Sequence, residues 1–389
     1  MSAAASAEVT ELELREGVRE LCARYPGAYW RQVDAEDAYP SEFVDAMTKA
    51  GWLAALVPEE YGGAGLGIGH AAVILEEVNR SGGNAGACHA QMYIMGTLLR
   101  HGSDEQKQRY LPGIAQGELR LQAFGVTEPD AGLDTTQIRT RARRDDDRYV
   151  VSGQKIWTSR AEHSDLMLLL ARTSEPDEEH GRWYGLSTFI VDLREAPTDR
   201  LRIVPIETML NHSTTEVFFD DLEIPIENRI GEEGMGFRYI LDGMNAERIL
   251  LAAECVGDGR WFLERATEHA RERVVFDRPI GQNQGVAFPL AWAYARIEAA
   301  DLMRRHAADL YERGEKCAPQ ANMAKLLAAD ASWEAANACL DTHGGLGFAR
   351  EFDVERKFRE TRLYQVAPIS TNMVLAYLAQ NVLGLPRSY

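Results

Sequence analysis

Apolar positions in the first part of the chain recur at helical spacing. Ala71 to Asn79, with Val73, Leu75 and Val78, predicts a helix, and Tyr39-Pro40-Ser41 supplies the start of another over Glu42 to Ala50. Glu59-Glu60-Tyr61-Gly62-Gly63 reads as loop, and Asp104 to Leu111 as a short helix stopped by Pro112-Gly113. Near Leu121 the period shortens. Tyr149-Val150-Val151 and Lys155-Ile156-Trp157 flank Ser152-Gly153 as strand, turn and strand, and Leu166–Leu170, Leu186–Val191, Leu201–Ile206 and Glu216–Phe219 follow as further strands. Together they predict an antiparallel β module of about 110 residues. After Gly231 the helical period returns. Gly236–Val256 and Val286–Glu312 are long, and Asn322–Leu340 carries Met323, Leu326, Leu327 and Trp333 toward one face, with Asp330 interrupting the stripe. Long helices with short connections predict an antiparallel bundle. The expected class is α+β: an N-terminal helical domain over residues 1–119, a middle β domain over 120–231 and a C-terminal four-helix-bundle domain over 232–389.

Composition refines this picture without redirecting it. The 389 residues exceed what one core usually holds, and 45% apolar with 26% charged residues is ordinary for a globular protein. The densest apolar run, Leu166 to Ala171, is strand-sized, which predicts no membrane span. The N-terminal stretch has neither a basic region nor an apolar run, and Pro386-Arg387-Ser388-Tyr389 carries no retention or peroxisomal address, so a cytoplasmic protein is expected. Five cysteines, with no CxxC pair, fit reduced core thiols better than disulfides or a zinc site. A net charge of −18 argues against nucleic acid as a partner. An anionic ligand then needs a local basic pocket.

Glu247 is the most informative single residue. On a helix, Ile240, Met244 and Leu251 fall at −7, −3 and +4 from it, which seats the carboxylate on an apolar stripe. Desolvation there raises a carboxylate's pKa and makes it a usable base. An acid in that place also serves as half of a structural ion pair, here with Arg248 or a neighbouring helix. Trp157 and Ser159 close the hairpin begun at Gly153, and a flat ring beside a hydroxyl suits an aromatic cofactor, although a lone tryptophan is more often core. Thr127-Glu128-Pro129-Asp130-Ala131-Gly132-Leu133-Asp134 carries the turn formers that close backbone approach requires. His343-Gly344-Gly345-Leu346-Gly347 reads first as a helix end with a glycine stop and is no GxGxxG fingerprint. Arg273 suits a phosphate or a surface acid equally well.

Taken in order, Val57 to Gly63, Leu111 to Glu118, Thr127 to Asp134, Gly153 to Trp157, Arg273 to Gln284 and His343 to Gly347 resemble the acyl-CoA dehydrogenase family, from about Glu42 to the C-terminus. The resemblance implies FAD between the β domain and the C-terminal helices, completed by a neighbouring subunit of a homotetramer or dimer. It implies flavin contacts at Phe124, Val126, Thr127, Gly132, Leu133, Trp157 and Ser159. It also implies FAD contacts at Ser370 and Asn372, and contacts reaching across the subunit interface at Arg273, Phe276, Gln284, Asp341, Gly344 and Gly345. Asn245 and Arg248 match positions that hold the pantetheine end of CoA. Many members keep the base in a Tyr-Glu-Gly-Thr motif near the C-terminus, but Phe358 to Ser370 occupies that stretch here and Pro368 stands at the glutamate position. A minority, including isovaleryl- and long-chain-specific types, place the base where Glu247 lies. The implied reaction is α,β-dehydrogenation of an acyl-CoA to the trans-2-enoyl-CoA, with electrons passed to electron-transfer flavoprotein. Proline lacks the N–H that the family aims at the thioester oxygen. That departure keeps open an oxygenase- or desulfinase-type flavin reaction on the same scaffold, and a non-catalytic FAD-binding protein is the third reading. Leu133 for serine, Asp341 for glutamine, Asp277 for glycine and Asn245 for aspartate are further departures.

Overall fold

The computed structural model describes residues 10–176 and 178–387, so the readings made on residues 1–9 and on Ser388-Tyr389 lie outside it. Six helices come first: α1 (Glu11–Cys22), α2 (Gly27–Ala35), α3 (Ser41–Lys49), α4 (Ile68–Arg80), α5 (Gly86–His101) and α6 (Asp104–Gln116). Thr10 and Ser103 each close a capping box that starts α1 and α6. α6 does not stop at Pro112 as expected. It continues because Ile114 and Ala115, beyond the proline, are buried against Leu98, Leu121 and Leu166, and that burial offsets the lost helical bond. Gly117, left-handed at φ 79°, ends it instead.

The sheet contains β1 (Leu121–Gly125), β2 (Arg141–Asp145), β3 (Arg148–Ser159), β4 (Leu166–Arg172), β5 (Leu186–Asp192), β6 (Leu201–Pro205), β7 (Thr214–Pro225) and β8 (Arg229–Ile230). Its order is β6-β7-β3-β2-β4-β5-β8, with β1 also on β4. Most pairings are antiparallel, but β1–β4 and the single β2–β4 contact are parallel, so the sheet is mixed. The expected turn at Ser152-Gly153 is a bulge within one continuous strand. Gly153 has φ 147°, and a Cβ there would lie 2.6 Å from the Thr140 hydroxyl, so the register with β7 slips rather than the chain reversing. The reversal comes earlier, at Asp146-Asp147, where Asp146 takes φ 53°. β4 is buried on both faces. Leu166 and Leu168 face α5 and α6, while Met167, Leu169 and Ala171 pack toward Tyr149, Val151 and Val217, which explains the dense apolar run.

The last third holds α7 (Gly236–Glu272), the two-strand ribbon β9 (Val274–Val275) and β10 (Arg278–Pro279), α8 (Gln284–Glu312), α9 (Ala318–His343), α10 (Val354–Arg362) and α11 (Thr371–Tyr377). α9 buries a different face from the one expected. Ala321, Ala324, Ala328, Ala331 and Ala335 are buried, whereas Leu327 is exposed and Met323 and Trp333 are half-buried. Small side chains admit α7 and α8 at close range, so the alanine stripe becomes the core. That core is shared with the first helices: Leu14, Val18, Leu75 and Val78 lie in the same apolar cluster as Ile249, Phe262 and Ala328. Among the described residues, no helix is long and apolar enough to cross a membrane.

Candidate active site

α7 carries Glu247 to the junction of the helical and β domains. Ile240 and Met244, on the preceding turns, pack with Phe124 and Val126 from the end of β1. The carboxylate that follows is 5% exposed, and its Oε2 has no hydrogen-bond partner. Burial pushes its pKa up; His89 and Arg248 pull the other way, and Glu254 adds to the rise. The adjacent Arg248 does not pair with it. Its Nη1 donates to Asn245 Oδ1 at 3.3 Å, its Nε is buried without a partner, and burial lowers its pKa. Glu247 is thus an acid held dry and unneutralised.

Three groups around it were not singled out from the sequence: His89 and Tyr93 on α5, and Glu254 two turns further along α7. His89 Nδ1 makes a short contact with Glu254, whose other oxygen accepts from the Tyr364 hydroxyl at 3.1 Å. Asn79 ties Tyr364 (3.0 Å) to the Glu254 carbonyl (3.2 Å). The Tyr93 ring meets His89 edge-on at 5.0 Å and Phe124 at 5.7 Å. Burial, then the Glu247 charge, hold its hydroxyl well above the usual tyrosine range. Spacing carried one signal for this cluster, since residues 247 and 254 share a helix face. His89 and Tyr93 announce themselves only as polar residues within an otherwise buried helix.

The segment Val126 to Glu128 is pinned from below. Lys155, fully buried, donates to the Val126 carbonyl at 3.0 Å and to Glu128 at 2.8 Å; Glu128 also accepts the amides of Arg139 (2.6 Å) and Thr140 (2.9 Å). Burial pulls Lys155 down to about 8. For Glu128 burial pushes upward, but the lysine and these donors outweigh it and leave the carboxyl below its ordinary value. Ile156 N–H donates to the Thr127 carbonyl at 2.9 Å. Beside this, Trp157 sits in a second register slip at φ 62° with its ring 57% exposed, next to the half-buried Ser159. Gly132 has open space where a side chain would be, and Leu133 is exposed.

The remaining candidates gather elsewhere. Arg273 follows α7 about 39 Å along its axis from Glu247. Phe276 and Asp277 form the left-handed turn between β9 and β10, and the Phe276 ring is 93% exposed. Gln284 opens α8. Asp341 lies in the last turn of α9 ahead of Gly344 and Gly345, and His269 stacks on His343 at 4.4 Å to hold the two ends together. One chain does not bring this group to Glu247. Ser370 caps α11 through Met373 N at 3.4 Å, and Asn372 is exposed in its first turn. Lys325 donates to the Ile369 carbonyl at 2.8 Å, immediately after Pro368.

Family models for the N-terminal, middle and C-terminal domains of acyl-CoA dehydrogenase match residues 8–118, 123–222 and 234–383. An acyl-CoA dehydrogenase of Mycobacterium bovis is 37% identical over 379 residues, covering 97% of this chain and 96% of its own. The solved structure of glutaryl-coenzyme A dehydrogenase in its glutaryl-CoA complex superposes with a TM-score of 0.89 at 30% identity, over 100% of this chain and 98% of that one. A prolyl acyl carrier protein oxidase gives a TM-score of 0.89 at 26% identity, over 98% and 100%.

Proposed function

The chain belongs to the acyl-CoA dehydrogenase family of oxidoreductases, and within it we propose that FAD and Glu247 together convert an acyl-CoA to its trans-2-enoyl-CoA. The observation that carries this is the Glu247 carboxylate, buried beside the Phe124–Val126 segment with one oxygen free. The chain fits FAD: the exposed Trp157 ring, the open space at Gly132 and the half-buried Ser159 offer a flat face with a hydroxyl and room for close backbone approach. FAD held there would supply the hydride acceptor for the substrate's β-carbon. Glu247 takes the α-proton. Its dry surroundings hold its basicity near that of the thioester's α-position more closely than water would. Asn245 and Arg248, both within one turn of the base on α7, hold the CoA arm. Removal of the α-proton by Glu247, matched by loss of the β-hydrogen as hydride, would leave the α,β double bond of the enoyl-CoA.

The developing negative charge on the thioester oxygen needs a donor. Pro368 offers none, and the next amide, Ile369 N–H, has no partner among the described residues. The Lys325 contact to the Ile369 carbonyl anchors that residue through its following peptide, and we assign Ile369 N–H the donor role. Arg273, Phe276, Gln284, Asp341, Gly344 and Gly345 serve FAD bound to a second subunit, and electrons pass on to electron-transfer flavoprotein. A second reading, another flavin reaction on a thioester, is favoured by Pro368 alone. Anaerobic titration of the FAD-loaded protein with acyl-CoAs tests the proposal. Bleaching of the flavin with formation of enoyl-CoA is expected, and its loss with flavin retained in Glu247→Gln. Bleaching undiminished in that variant overturns the base, and no bleaching with any acyl-CoA overturns the reaction.

A further inference from the structure

Arg160 begins the turn after β3 and is 7% exposed, yet no carboxylate among the described residues lies within ion-pairing distance of it. Buried guanidinium groups are almost always paired, because leaving one unpaired costs several kcal/mol of desolvation. The other buried arginines are satisfied: Arg304 is held by Asp301 and Arg356 by Glu360, and Arg172 spends its donors on the carbonyls of Thr136, Ile138, Ser174 and Tyr184. Arg160 makes one side-chain hydrogen bond, from its Nη2 to His212 Nδ1 at 3.2 Å. Arginine only donates, so His212 Nδ1 accepts, and the imidazole proton lies on Nε2. The pair therefore presents two donor groups and no acceptor.

Both side chains line a cavity of about 30 Å³ with Tyr39, Asn84 and Trp30. That is room for roughly two water-sized groups, the bulk of a carboxylate's oxygens. Two acids, Asp34 and Glu360, also border it, but each is already neutralised: Asp34 by Arg359 at 2.7 Å, and Glu360 by Arg356 and Lys357 at 2.8 and 3.1 Å. Neither Glu247 nor Tyr93 lines this cavity, but charge links it to the surroundings of the base. Tyr93 feels both the Glu247 and the Arg160 charge, and Arg160 feels Glu254, two turns from Glu247 and roughly 10 Å along α7. A side chain at Gly86 would collide with the guanidinium, so the first turn of α5, which carries His89 and Tyr93, also backs Arg160.

The geometry points to Arg160 and His212 as the subsite for an anionic group at the far end of the acyl chain, so that the substrate class is an ω-carboxylated acyl-CoA. This rests on the reading of Glu247 as the base, because the acyl chain must run from that carboxylate toward Arg160. A bound carboxylate supplies the partner that Arg160 lacks and accepts from His212 Nε2. It adds no chemical step and acts on affinity and on positioning of the α-carbon.

The test compares kcat/KM of the FAD-loaded enzyme for a ladder of ω-carboxylated acyl-CoAs with methyl-ended acyl-CoAs of matched length. The wild type should prefer the carboxylated member at the best length by tenfold or more. In Arg160→Gln the ratio should collapse by about 100-fold, mainly through KM, and Arg160→Lys should restore part of it. If Arg160→Gln fails to fold, the wild-type ladder and the lysine variant decide. Equal use of both series by the wild type, or equal loss on both in the variant, overturns the subsite. No turnover of either series, with flavin bound, overturns the dehydrogenase reading instead.

Discussion

Replacing Glu247 by glutamine should make the protein more stable at neutral pH while abolishing turnover. The carboxylate is buried, its Oε2 has no partner, and Arg248 beside it is turned to Asn245. An unsatisfied buried polar atom costs about 1–3 kcal/mol, and more when charged. Glutamine keeps the shape and removes the charge, so a gain of about 1–3 kcal/mol is expected, seen as a rise of a few degrees in Tm. The pH dependence gives the sharper check. Burial raises the folded-state pKa above the ordinary 4.5. Below 4.5 the acid is neutral in both folded and unfolded chains, so wild type and variant should differ little. As pH rises from 4.5 toward the raised value, the unfolded chain releases the proton before the folded one does. Folding then binds a proton, and wild-type stability falls relative to the variant. Above the raised value the gap is constant. Thermal unfolding of both FAD-loaded proteins across this range measures the gap directly. A variant less stable than wild type at neutral pH, or a gap independent of pH, would mean the carboxylate is a satisfied structural acid, and the reasoning fails.

Lys155→Met leaves Glu128 buried with only two amide donors, so a loss of about 3–5 kcal/mol is expected by denaturant titration, together with weaker FAD retention, because the same lysine holds the Val126 carbonyl. Lys325→Met frees the Ile369 carbonyl, so kcat should fall more than tenfold while the bound flavin spectrum and KM change little; an unchanged kcat removes Ile369 N–H from its assigned role. Phe276→Asp puts a charge on an exposed apolar ring, and sedimentation should show smaller assemblies that lose FAD together; intact assembly would show that this ribbon faces solvent. Initial rates at saturating substrate should rise with pH through the raised Glu247 pKa and then level off, since the base acts only when ionised.

The order of helices, sheet and helices was legible because period alone separates them, and α4, β4 and α8 fall close to where the pattern puts them. The misses share one cause: tertiary packing overrode a local signal. Pro112 reads as a stop, but the buried Ile114 and Ala115 carry the helix past it. Ser152-Gly153 reads as a turn, but the approach of Thr140 makes it a bulge. In α9 the largest apolar residues drew attention, whereas close helix packing selects the smallest. The burial of Glu247 was legible because it lies on the apolar stripe of one helix. His89 and Tyr93 share α5, but Arg160 and His212 come from two other stretches of chain, and the three stretches converge only through the fold, so no spacing in the sequence connects them.

What distinguishes Glu247, the proposed base, from Glu254 is environment rather than position. Glu247 and Glu254 lie on the same face of α7, both buried, both in reach of His89. Glu254 is engaged on each oxygen, by His89 and by the Tyr364 hydroxyl, and Asn79 fixes that tyrosine in turn. Glu247 has no such partners, and only burial and more distant charges act on it. Two like acids placed in unlike surroundings take unlike roles: the satisfied one holds α5 against α7, and the unsatisfied one is left free to accept a proton. The same contrast recurs one layer outward, where Arg304 and Arg356 are satisfied and Arg160 is not. In the proposed reading the two groups without a partner, and not the more numerous paired ones, mark the two ends of the acyl chain.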